Sequence, residues 1–255
     1  MKLGLMNNPA RDPLKEIPRI ADLGFAFVDL TLEPPKTRAD LVDAKRILQA
    51  LNYCNLDVVG HTAYYLPFAS AFDLVQKAAV QEAERCLQVF ADVGARVMNL
   101  HLDCRAPGYD TTWINARNVQ SIEMLLPTAQ KLGVSLMVEN VDGDDAEALA
   151  PVLDPLPNVG LHLDIGHANI GTRKSHTPSL LGAYGDRLRH VHLSDNKGKS
   201  DDHLAIGAGV IDWKRELKAL KASGYDGTIT LECFYGDLEL IKYARDKVRS
   251  LWASV

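Results

Sequence analysis

In the segment LHLDIGHANI, residues 161–170, a carboxylate and an imidazole lie at the point where an apolar run ends. Leucine and isoleucine alternate along this run as they do on the buried face of a β-strand. Asp164 and His167 interrupt that alternation beside a glycine. Carboxylate and neutral imidazole are ligands of zinc, manganese and related divalent ions, so this strand end predicts metal chemistry.

Side chains of the same kind recur at the ends of other apolar runs along the chain. Each alone has an ordinary explanation, because a single histidine is more often a hydrogen-bonded core residue and a single carboxylate can cap a helix. Together they would be costly to bury without a shared partner, and one or more divalent cations would satisfy them all. The further candidate ligands are His61, His101, Glu139, His192, Asp201, His203 and Glu232.

The three remaining histidines are interpreted differently. His162 and His190 stand two residues before Asp164 and His192, and side chains repeat with period two along a strand. They therefore share a face with candidate ligands one layer deeper, where we expect core groups or groups that orient ligands. His176 lies in a polar segment and is expected to be a surface loop residue.

Short β-rich runs alternate with amphipathic stretches along the whole chain. The clearest helical stretch opens with a Ser70-x-x-Asp73 capping signal and closes at Gly94. A second has Gly133 as its expected C-cap, and its internal Pro127 should kink or divide it. The β-rich runs predict strands over residues 2–7, 25–32, 56–63, 96–103, 134–140, 159–167, 188–196 and 227–234.

Strands that mostly precede helices predict parallel β/α units with right-handed crossovers. Such units form either an open doubly wound sheet or a closed eightfold barrel. The glycine-rich GxGxxG segment of dinucleotide-binding sheets does not follow the first strand, which disfavours the open form. We therefore predict a single-domain (β/α)8 TIM barrel over residues 1–255, with its site at the carboxyl ends of the strands.

The bulk composition restricts the classes of function. The chain has 255 residues, 47% of them hydrophobic, and a formal net charge of −5. This disfavours nucleic acid as a partner, although a local basic patch could suffice. No apolar run approaches the roughly 20 residues of a membrane helix, and no apolar leader is expected. Four widely spaced cysteines without a CxxC pair favour reduced thiols and a cytoplasmic location. The sequence carries no signal for the oligomeric state.

Taken together, these motifs resemble the xylose isomerase-like barrels, a family that includes endonuclease IV, sugar-phosphate isomerases and ketose 3-epimerases. The resemblance spans nearly the whole chain, and its more specific parts are LHLDIGHANIG and HVHLSDNKGKSDDHLAIGAGVIDW. The other segments that carry it are VVGHTAYYLPF, MNLHLD, MVEN and LECF.

The resemblance implies a metal site, and the family divides by the number of ions held. In its isomerases and epimerases one ion is held by a set that maps here onto Glu139, Asp164, His192 and Glu232. In endonuclease IV the additional ligands, with which the site holds three zinc ions, map onto His61, His101, His167, Asp201 and His203. The expected cofactor is therefore one to three Zn²⁺ or Mn²⁺ ions.

The first functional hypothesis is a metal-dependent sugar or sugar-phosphate isomerase or epimerase. The cation would polarise a substrate carbonyl and acidify the adjacent C–H. Glu139 and Glu232 would exchange the proton as base and acid through an enediolate, and His167 would donate to the developing oxyanion.

Four residues are candidate substrate contacts in this hypothesis, and each has an alternative. The basic ones could hold a phosphate or carboxylate, or be solvated loop charges. The tyrosine matches one that endonuclease IV uses, or it simply lines the pocket. The four are Tyr64, Arg173, Lys197 and Lys199.

The second hypothesis is a phosphodiesterase resembling endonuclease IV that acts on abasic DNA, with two or three metals clamping a phosphate. The chain departs from that enzyme, because the loop EPPKTRAD is short, HLDCRAPG replaces the expected HPG pattern, and the sequence shows no strong basic stripe. A third possibility is a barrel that binds a small molecule or metal without turnover. We rank the isomerase or epimerase first.

Overall fold

The computed structural model describes residues 1–104, 106–234 and 236–255. These residues form a closed barrel in which every strand pairs in parallel with its sequence neighbour, and the first strand pairs with the last. The predicted (β/α)8 barrel is confirmed. Closure matters for function because it brings the carboxyl ends of all the strands to one rim.

Each of the eight predicted strands contains an observed one. Seven of the observed strands end before their predicted carboxyl ends, whereas the strand predicted over 25–32 ends at Leu32 as predicted. The predicted strand 96–103 stops before His101, and the predicted strand 159–167 stops before His167. The strands are β1 (Lys2–Met6), β2 (Phe27–Leu32), β3 (Asp57–Thr62), β4 (Val97–Leu100), β5 (Ser135–Glu139), β6 (Gly160–Asp164), β7 (Leu188–Leu193) and β8 (Thr228–Leu231).

One α-helix follows each strand and packs its apolar face against the outside of the barrel. Two short 3₁₀ helices, His167–Asn169 and Gly185–Arg187, flank the sixth α-helix. The α-helices are α1 (Pro13–Asp22), α2 (Ala44–Cys54), α3 (Asp73–Val93), α4 (Thr111–Leu132), α5 (Ala146–Leu153), α6 (Thr177–Tyr184), α7 (Trp213–Ala222) and α8 (Leu238–Ser254). Among the described residues, no helix is both long and apolar enough to cross a membrane.

Helix α3 begins differently from the prediction. Its N-cap is Phe72, without a side-chain cap, and the Ser70 hydroxyl instead accepts a hydrogen bond from the Phe72 amide at 3.2 Å. The capping signal was wrong because the Ser70 side chain closes the turn before the helix. The other end is as predicted, since Gly94 adopts φ 89° and ends the helix.

Helix α4 runs through Pro127 as a single element and ends at Gly133, so the expected C-cap is confirmed and the expected division is wrong. Pro127 removes one amide from the helical ladder. Pro127 and Glu123, four residues earlier, both lie on the exposed face. Water can therefore satisfy the carbonyl that the missing amide leaves unpaired.

The floor of the barrel interior is apolar. Phe27, Val59 and Met137 form a buried cluster inside the strands, with Val97 packed against it. Gly4 leaves room for this layer, because a Cβ at that position would lie 2.3 Å from the Phe27 ring. The inward-facing side chains nearer the carboxyl ends of the strands are polar. Because the apolar layer closes the other end of the barrel, these polar side chains are accessible only from the carboxyl rim.

Candidate metal centre

Four residues from four strands meet at the carboxyl rim. Each of them offers one ligand atom, and these atoms all lie within 4.8 Å of one another. Glu139 and Asp164 are the last residues of β5 and β6, His192 lies in β7, and Glu232 follows β8 directly. Side chains that are 93 positions apart in sequence, as Glu139 and Glu232 are, thus face one point.

The chemistry of these four side chains fits a divalent cation. Three carboxylates and one imidazole are a ligand set that zinc and manganese accept. Asp164 Oδ2 is buried and has no hydrogen-bond partner, and it lies 3.9 Å from His192 Nδ1. An unpartnered buried carboxylate oxygen is costly, and a shared cation would remove that cost.

The main chain around Asp164 holds its side chain in place. The Asn140 side chain donates to the Asp164 carbonyl at 2.9 Å and accepts from the Asp164 amide at 2.8 Å. The carboxylate then accepts from the His167 amide through Oδ1 at 2.6 Å. These contacts direct the other oxygen, Oδ2, towards the remaining ligands. These hydrogen bonds explain why Asp164 ends the strand and why a turn that carries His167 follows it directly.

His192 contacts a carboxylate on each side of its ring. Its Nδ1 lies 3.1 Å from Glu232 Oε2, within the ligand group. Its Nε2 lies 2.7 Å from Asp29 Oδ2, deeper in the barrel. Asp29 was missed in the sequence, and the available signal was a charged residue inside the apolar run FAFVDLTL.

The pKa values of the carboxylates in this group shift in opposite directions. Burial, reinforced by the nearby Glu139 and Glu232, raises the pKa of Asp164 to about 7. Burial would also raise the pKa of Glu139, but the adjacent imidazoles of His162 and His101 outweigh it and hold that pKa well below its ordinary value. Glu139 is therefore ionised at neutral pH.

A second group of possible ligands adjoins the first. His61 and His101 approach each other with their Nε2 atoms 3.1 Å apart, and the Glu139 Oε2 atom lies 3.6 and 3.2 Å from them. Asn99, which the sequence reasoning missed, donates to the same oxygen. Burial lowers the pKa of His101 to about 4, so this imidazole is neutral near pH 7 and keeps a lone pair for a ligand or substrate.

The other three candidate ligands form a cluster at the mouth of the barrel. Asp201 Oδ2 accepts from His203 Nε2 at 2.7 Å and from His167 Nε2 at 3.3 Å. His167 Nδ1 donates to the Asn140 carbonyl at 2.9 Å. His203 has a positive φ of 46°, a conformation that costs free energy for a residue other than glycine. The loop therefore forces this side chain towards the mouth.

Asp195 holds that loop, although the sequence reasoning did not single it out. Its carboxylate accepts from the Trp213 indole at 2.8 Å and from the Gly207 amide at 2.7 Å. Gly209 passes so close that a Cβ there would lie 2.2 Å from both the Asn196 carbonyl and the Asp195 carboxylate. The glycines of DDHLAIGAG thus let the chain fold back over this carboxylate.

Comparison with known proteins decides the family. The model of the xylose isomerase-like TIM barrels matches residues 17–252. The chain belongs to this family. An L-ribulose 3-epimerase from Methylomonas is 26% identical over 241 residues, which cover 88% of this chain and 79% of that one.

Two further similarities concern a curated relative and a solved structure. An L-ribulose-5-phosphate 3-epimerase from Escherichia coli is 25% identical over 260 residues, covering 91% of this chain and 87% of that one. The crystal structure of a D-tagatose 3-epimerase-like protein superimposes with a TM-score of 0.87 at 23% identity, covering 100% of this chain and 98% of the other. Its likeness concerns the fold.

The ligand group of this xylose isomerase-like barrel opens into a pocket of about 670 Å³. Tyr64 lines the pocket and is 66% exposed. Two carboxylates that the sequence reasoning missed, Glu33 and Asp142, line it together with Asp201 and Glu232. Among the described residues, its lining contains no lysine or arginine. The titratable side chains of this described lining are therefore four carboxylates, four imidazoles and the Tyr64 phenol.

The three loop cations considered as substrate contacts lie outside this lining. Arg173 lines a neighbouring cavity, which shares Asp142 with the pocket. Lys197 and Lys199 are exposed on the loop after β7. The family's β6–α6 and β7–α7 loops thus bring them to the correct end of the barrel, and their role in binding stays a prediction.

The three remaining histidines divide into core and loop. His162 and His190 are fully buried inside the barrel, and His162 Nδ1 lies 3.1 Å from Glu139 Oε2. His176 is not the surface loop residue that was expected. It is partly buried at the N-cap of α6, and its Nδ1 donates to the Gly143 carbonyl at 3.0 Å, because the loops after β5 and β6 pack together there.

Proposed function

We propose that this protein is a metal-dependent ketose epimerase that exchanges a proton at the carbon next to the carbonyl of an unphosphorylated sugar. The observation that carries the proposal is the convergence of Glu139, Asp164, His192 and Glu232 within 4.8 Å at the base of a pocket lined by carboxylates and imidazoles. The relatives named as 3-epimerases support the reaction class.

The four converging side chains would hold one Zn²⁺ or Mn²⁺ ion. When bound, the ion supplies Lewis-acid polarisation of the substrate's carbonyl and neighbouring hydroxyl oxygens. Removal of the C–H proton would then give an enediolate, and delivery of a proton to the opposite face of the same carbon would invert its configuration. The remaining chemistry is proton transfer, which depends on the chain's own residues.

Two carboxylates stand in position to move that proton. Glu139 and Glu232 follow from β5 and β8, so they approach the substrate from different sides of the rim. Glu139 removes the proton on one face. Burial would raise the pKa of Glu232, but His192 and His203 hold it below its ordinary value, so Glu232 first takes up a proton from solvent and then delivers it on the other face. In the reverse reaction their roles exchange. Positioned acid–base catalysis of this kind contributes roughly 10²–10⁴-fold.

His167 is placed to stabilise negative charge on the substrate. Its Nδ1 is fixed by the Asn140 carbonyl at 2.9 Å, so its Nε2 edge faces the pocket beside Asp201. Burial would lower the pKa of His167, but Asp164 and Asp201 outweigh it and hold the pKa well above its ordinary value. The imidazole therefore keeps a proton to donate to an oxyanion.

The charge of the pocket favours an uncharged sugar over a sugar phosphate. Glu33, Asp142 and Asp201 line its walls, and the described lining residues include no arginine or lysine. A phosphate dianion would meet these carboxylates without a described lysine or arginine to pair with. Sugar hydroxyls, in contrast, would find both acceptors and the donors His61 and His101.

The test is proton exchange in deuterated water. Protein loaded with Mn²⁺ is incubated with L-ribulose or with L-ribulose 5-phosphate, and loss of the C3–H signal is followed by NMR. We expect exchange with the free sugar, less with the phosphate, and none after dialysis against a chelator. Faster exchange of the phosphate would contradict the substrate preference. No exchange with any ketose would contradict the reaction class.

A phosphodiesterase remains a second candidate because of one observation: His61, His101 and Glu139 form a second ligand group beside the first. A second or third ion there would favour phosphate chemistry. Efficient cleavage of a duplex containing an abasic site, without C–H exchange in any sugar, would establish this candidate over the epimerase.

A further inference from the structure

Asp29 is a carboxylate in the interior of the barrel, below the ligand group. It lies in the middle of β2 and is fully buried. Its Oδ2 atom is a shared acceptor for His192 Nε2 at 2.7 Å, the Thr230 hydroxyl at 2.8 Å and His190 Nε2 at 3.3 Å. These partners come from β7 and β8, on the far side of the β1 strand.

An ionised carboxylate at this depth requires a reason. Burying it costs several kcal/mol unless hydrogen bonds and opposite charge compensate. An apolar side chain would pack against the floor of Phe27 and Val59 without that cost, as the neighbouring inward positions do. Asp29 instead provides a hydrogen-bond acceptor, Oδ2, directly beneath the imidazole ring of His192.

We propose that Asp29 is a positioning residue that fixes the orientation and the tautomer of His192 for metal binding. With Nε2–H donated to Asp29, the neutral His192 ring that a cation would bind carries its lone pair on Nδ1. That atom faces the ligand group, 3.1 Å from Glu232 Oε2, 3.9 Å from Asp164 Oδ2 and 4.0 Å from Glu139 Oε1. The inference deepens the proposed function and rests on it.

The surrounding contacts keep Asp29 itself in place. Thr230 lies directly opposite His192 in the β7–β8 ladder, so its hydroxyl and the imidazole reach the same carboxylate oxygen. His190 is fixed at its other nitrogen by the Thr228 hydroxyl at 2.7 Å. The carboxylate therefore cannot turn away from His192 without breaking contacts to two strands.

The same arrangement argues against a separate metal site among the three deepest imidazoles. His162, His190 and His192 do converge inside the barrel. However, Nε2 of His192 contacts Asp29. Nε2 of His190 contacts both the Thr230 hydroxyl and Asp29, and Nδ1 of His190 contacts the Thr228 hydroxyl. Because hydrogen bonds occupy these nitrogens, we assign the three buried histidines to the support of the ligand group at the rim and not to a metal site of their own.

The test compares metal affinity in matched variants. Asp29→Asn keeps the shape and removes the strong acceptor, and Glu16→Gln is the control, since Glu16 is equally buried but pairs with Arg11 and Arg19 on the outside of the barrel. Zn²⁺ dissociation constants are measured by competition with a chromophoric chelator at one pH. We expect roughly 10- to 100-fold weaker binding for Asp29→Asn and an unchanged constant for Glu16→Gln.

Two further measurements keep the inference testable if Asp29→Asn does not fold. Thr230→Val retains the carboxylate but removes one of its donors, and we expect a smaller loss of Zn²⁺ affinity. In the Zn²⁺-loaded wild type, nitrogen NMR should show the His192 proton on Nε2. Unchanged affinity in every folded Asp29 and Thr230 variant, or a proton on Nδ1, would overturn the inference while leaving the proposed function intact. Absence of Zn²⁺ binding in the wild type would overturn both.

Discussion

The side chain of Asn140 is hydrogen-bonded twice to the main chain of Asp164, through Nδ2 to the carbonyl at 2.9 Å and through Oδ1 to the amide at 2.8 Å. Asn140 directly follows Glu139 in the sequence. One amide side chain therefore ties the end of β5 to the end of β6, where each strand carries a candidate metal ligand. The spacing of the two carboxylates depends on this link.

Replacing Asn140 by alanine should destabilise the protein by about 2–3 kcal/mol, because two buried main-chain groups lose their partner. Urea unfolding followed by circular dichroism measures this as a lower midpoint at unchanged slope. Asn52→Ala, on the exposed face of α2, is the control and should change stability by less than about 0.5 kcal/mol. Equal losses of unfolding free energy in the two variants would show that the Asn140 hydrogen bonds do not stabilise the protein.

Replacing either proposed proton-transfer carboxylate by its amide should abolish C–H exchange. We expect Glu139→Gln and Glu232→Gln each to lower the exchange rate at saturating metal by roughly 10²–10⁴-fold. Glu33→Gln, in the wall of the same pocket but outside the ligand group, should act mainly on KM. NMR exchange rates and metal content are measured on the same samples, and near-wild-type exchange in both amide variants would refute their role.

Metal affinity should rise with pH through neutrality. Burial together with Glu139 and Glu232 raises the pKa of Asp164 to about 7 in the metal-free protein. Below that pH the carboxyl holds a proton which the cation must displace, so affinity should fall about tenfold per pH unit as the pH drops. His192, whose pKa burial would lower but Glu232 raises well above its ordinary value, adds a second displaced proton.

Calorimetry in buffers of different ionisation enthalpy checks this dependence by counting the protons released per ion. Between pH 6 and pH 8 the count should decrease as Asp164 loses its proton before binding. A metal affinity that does not change with pH over this range would contradict the expected protonation of the ligand group.

Gly209→Ala should displace the loop that carries Asp201 and His203. The new Cβ would lie 2.2 Å from the Asn196 carbonyl, and main chain cannot yield as a flexible side chain does. We expect a loss of about 1–3 kcal/mol. The matched control is Gly182→Ala in α6, where a Cβ meets nothing within 4 Å and should stabilise by roughly 0.5–1 kcal/mol. Thermal unfolding checks both expectations: the melting temperature should fall for Gly209→Ala and rise for Gly182→Ala.

Metal stoichiometry distinguishes the roles of the two ligand groups. We expect one tightly held ion per chain, and His61→Gln and His101→Gln should leave that number unchanged while raising KM for the sugar. Elemental analysis after gel filtration gives the count. A value of two or three that falls to one in these variants would instead assign His61 and His101 to further metal ions.

Much of the fold was predictable from local patterns. Apolar alternation and turn residues locate all eight strands, because a strand of a parallel barrel is buried on both faces and reads as an apolar run. The ends of those runs identify the rim, so Glu139, Asp164, His192 and Glu232 stand out as polar interruptions. The Ser70 capping signal failed because a hydroxyl can close the turn before a helix as readily as cap it.

Two buried residues that the sequence reasoning missed have partners that are distant along the chain. Asp29 is 163 positions from His192, and Asn99 is 40 positions from Glu139. Within its own strand each is a polar residue among mostly apolar ones, and nothing local says whether it faces a helix or the barrel interior. Glu33 and Asp142 follow their strands in loops whose direction local patterns do not give.

The sequence by itself determined the sequence of β/α units, the polar strand ends and hence the residue types of a metal site. Only the tertiary structure decided which of those side chains share one point and which atom of each faces it. The physical reason is that period-two alternation specifies a face of a strand, whereas the distance between faces of different strands depends on closure, register and the hydrogen bonds of buried groups such as Asp29 and Asn140.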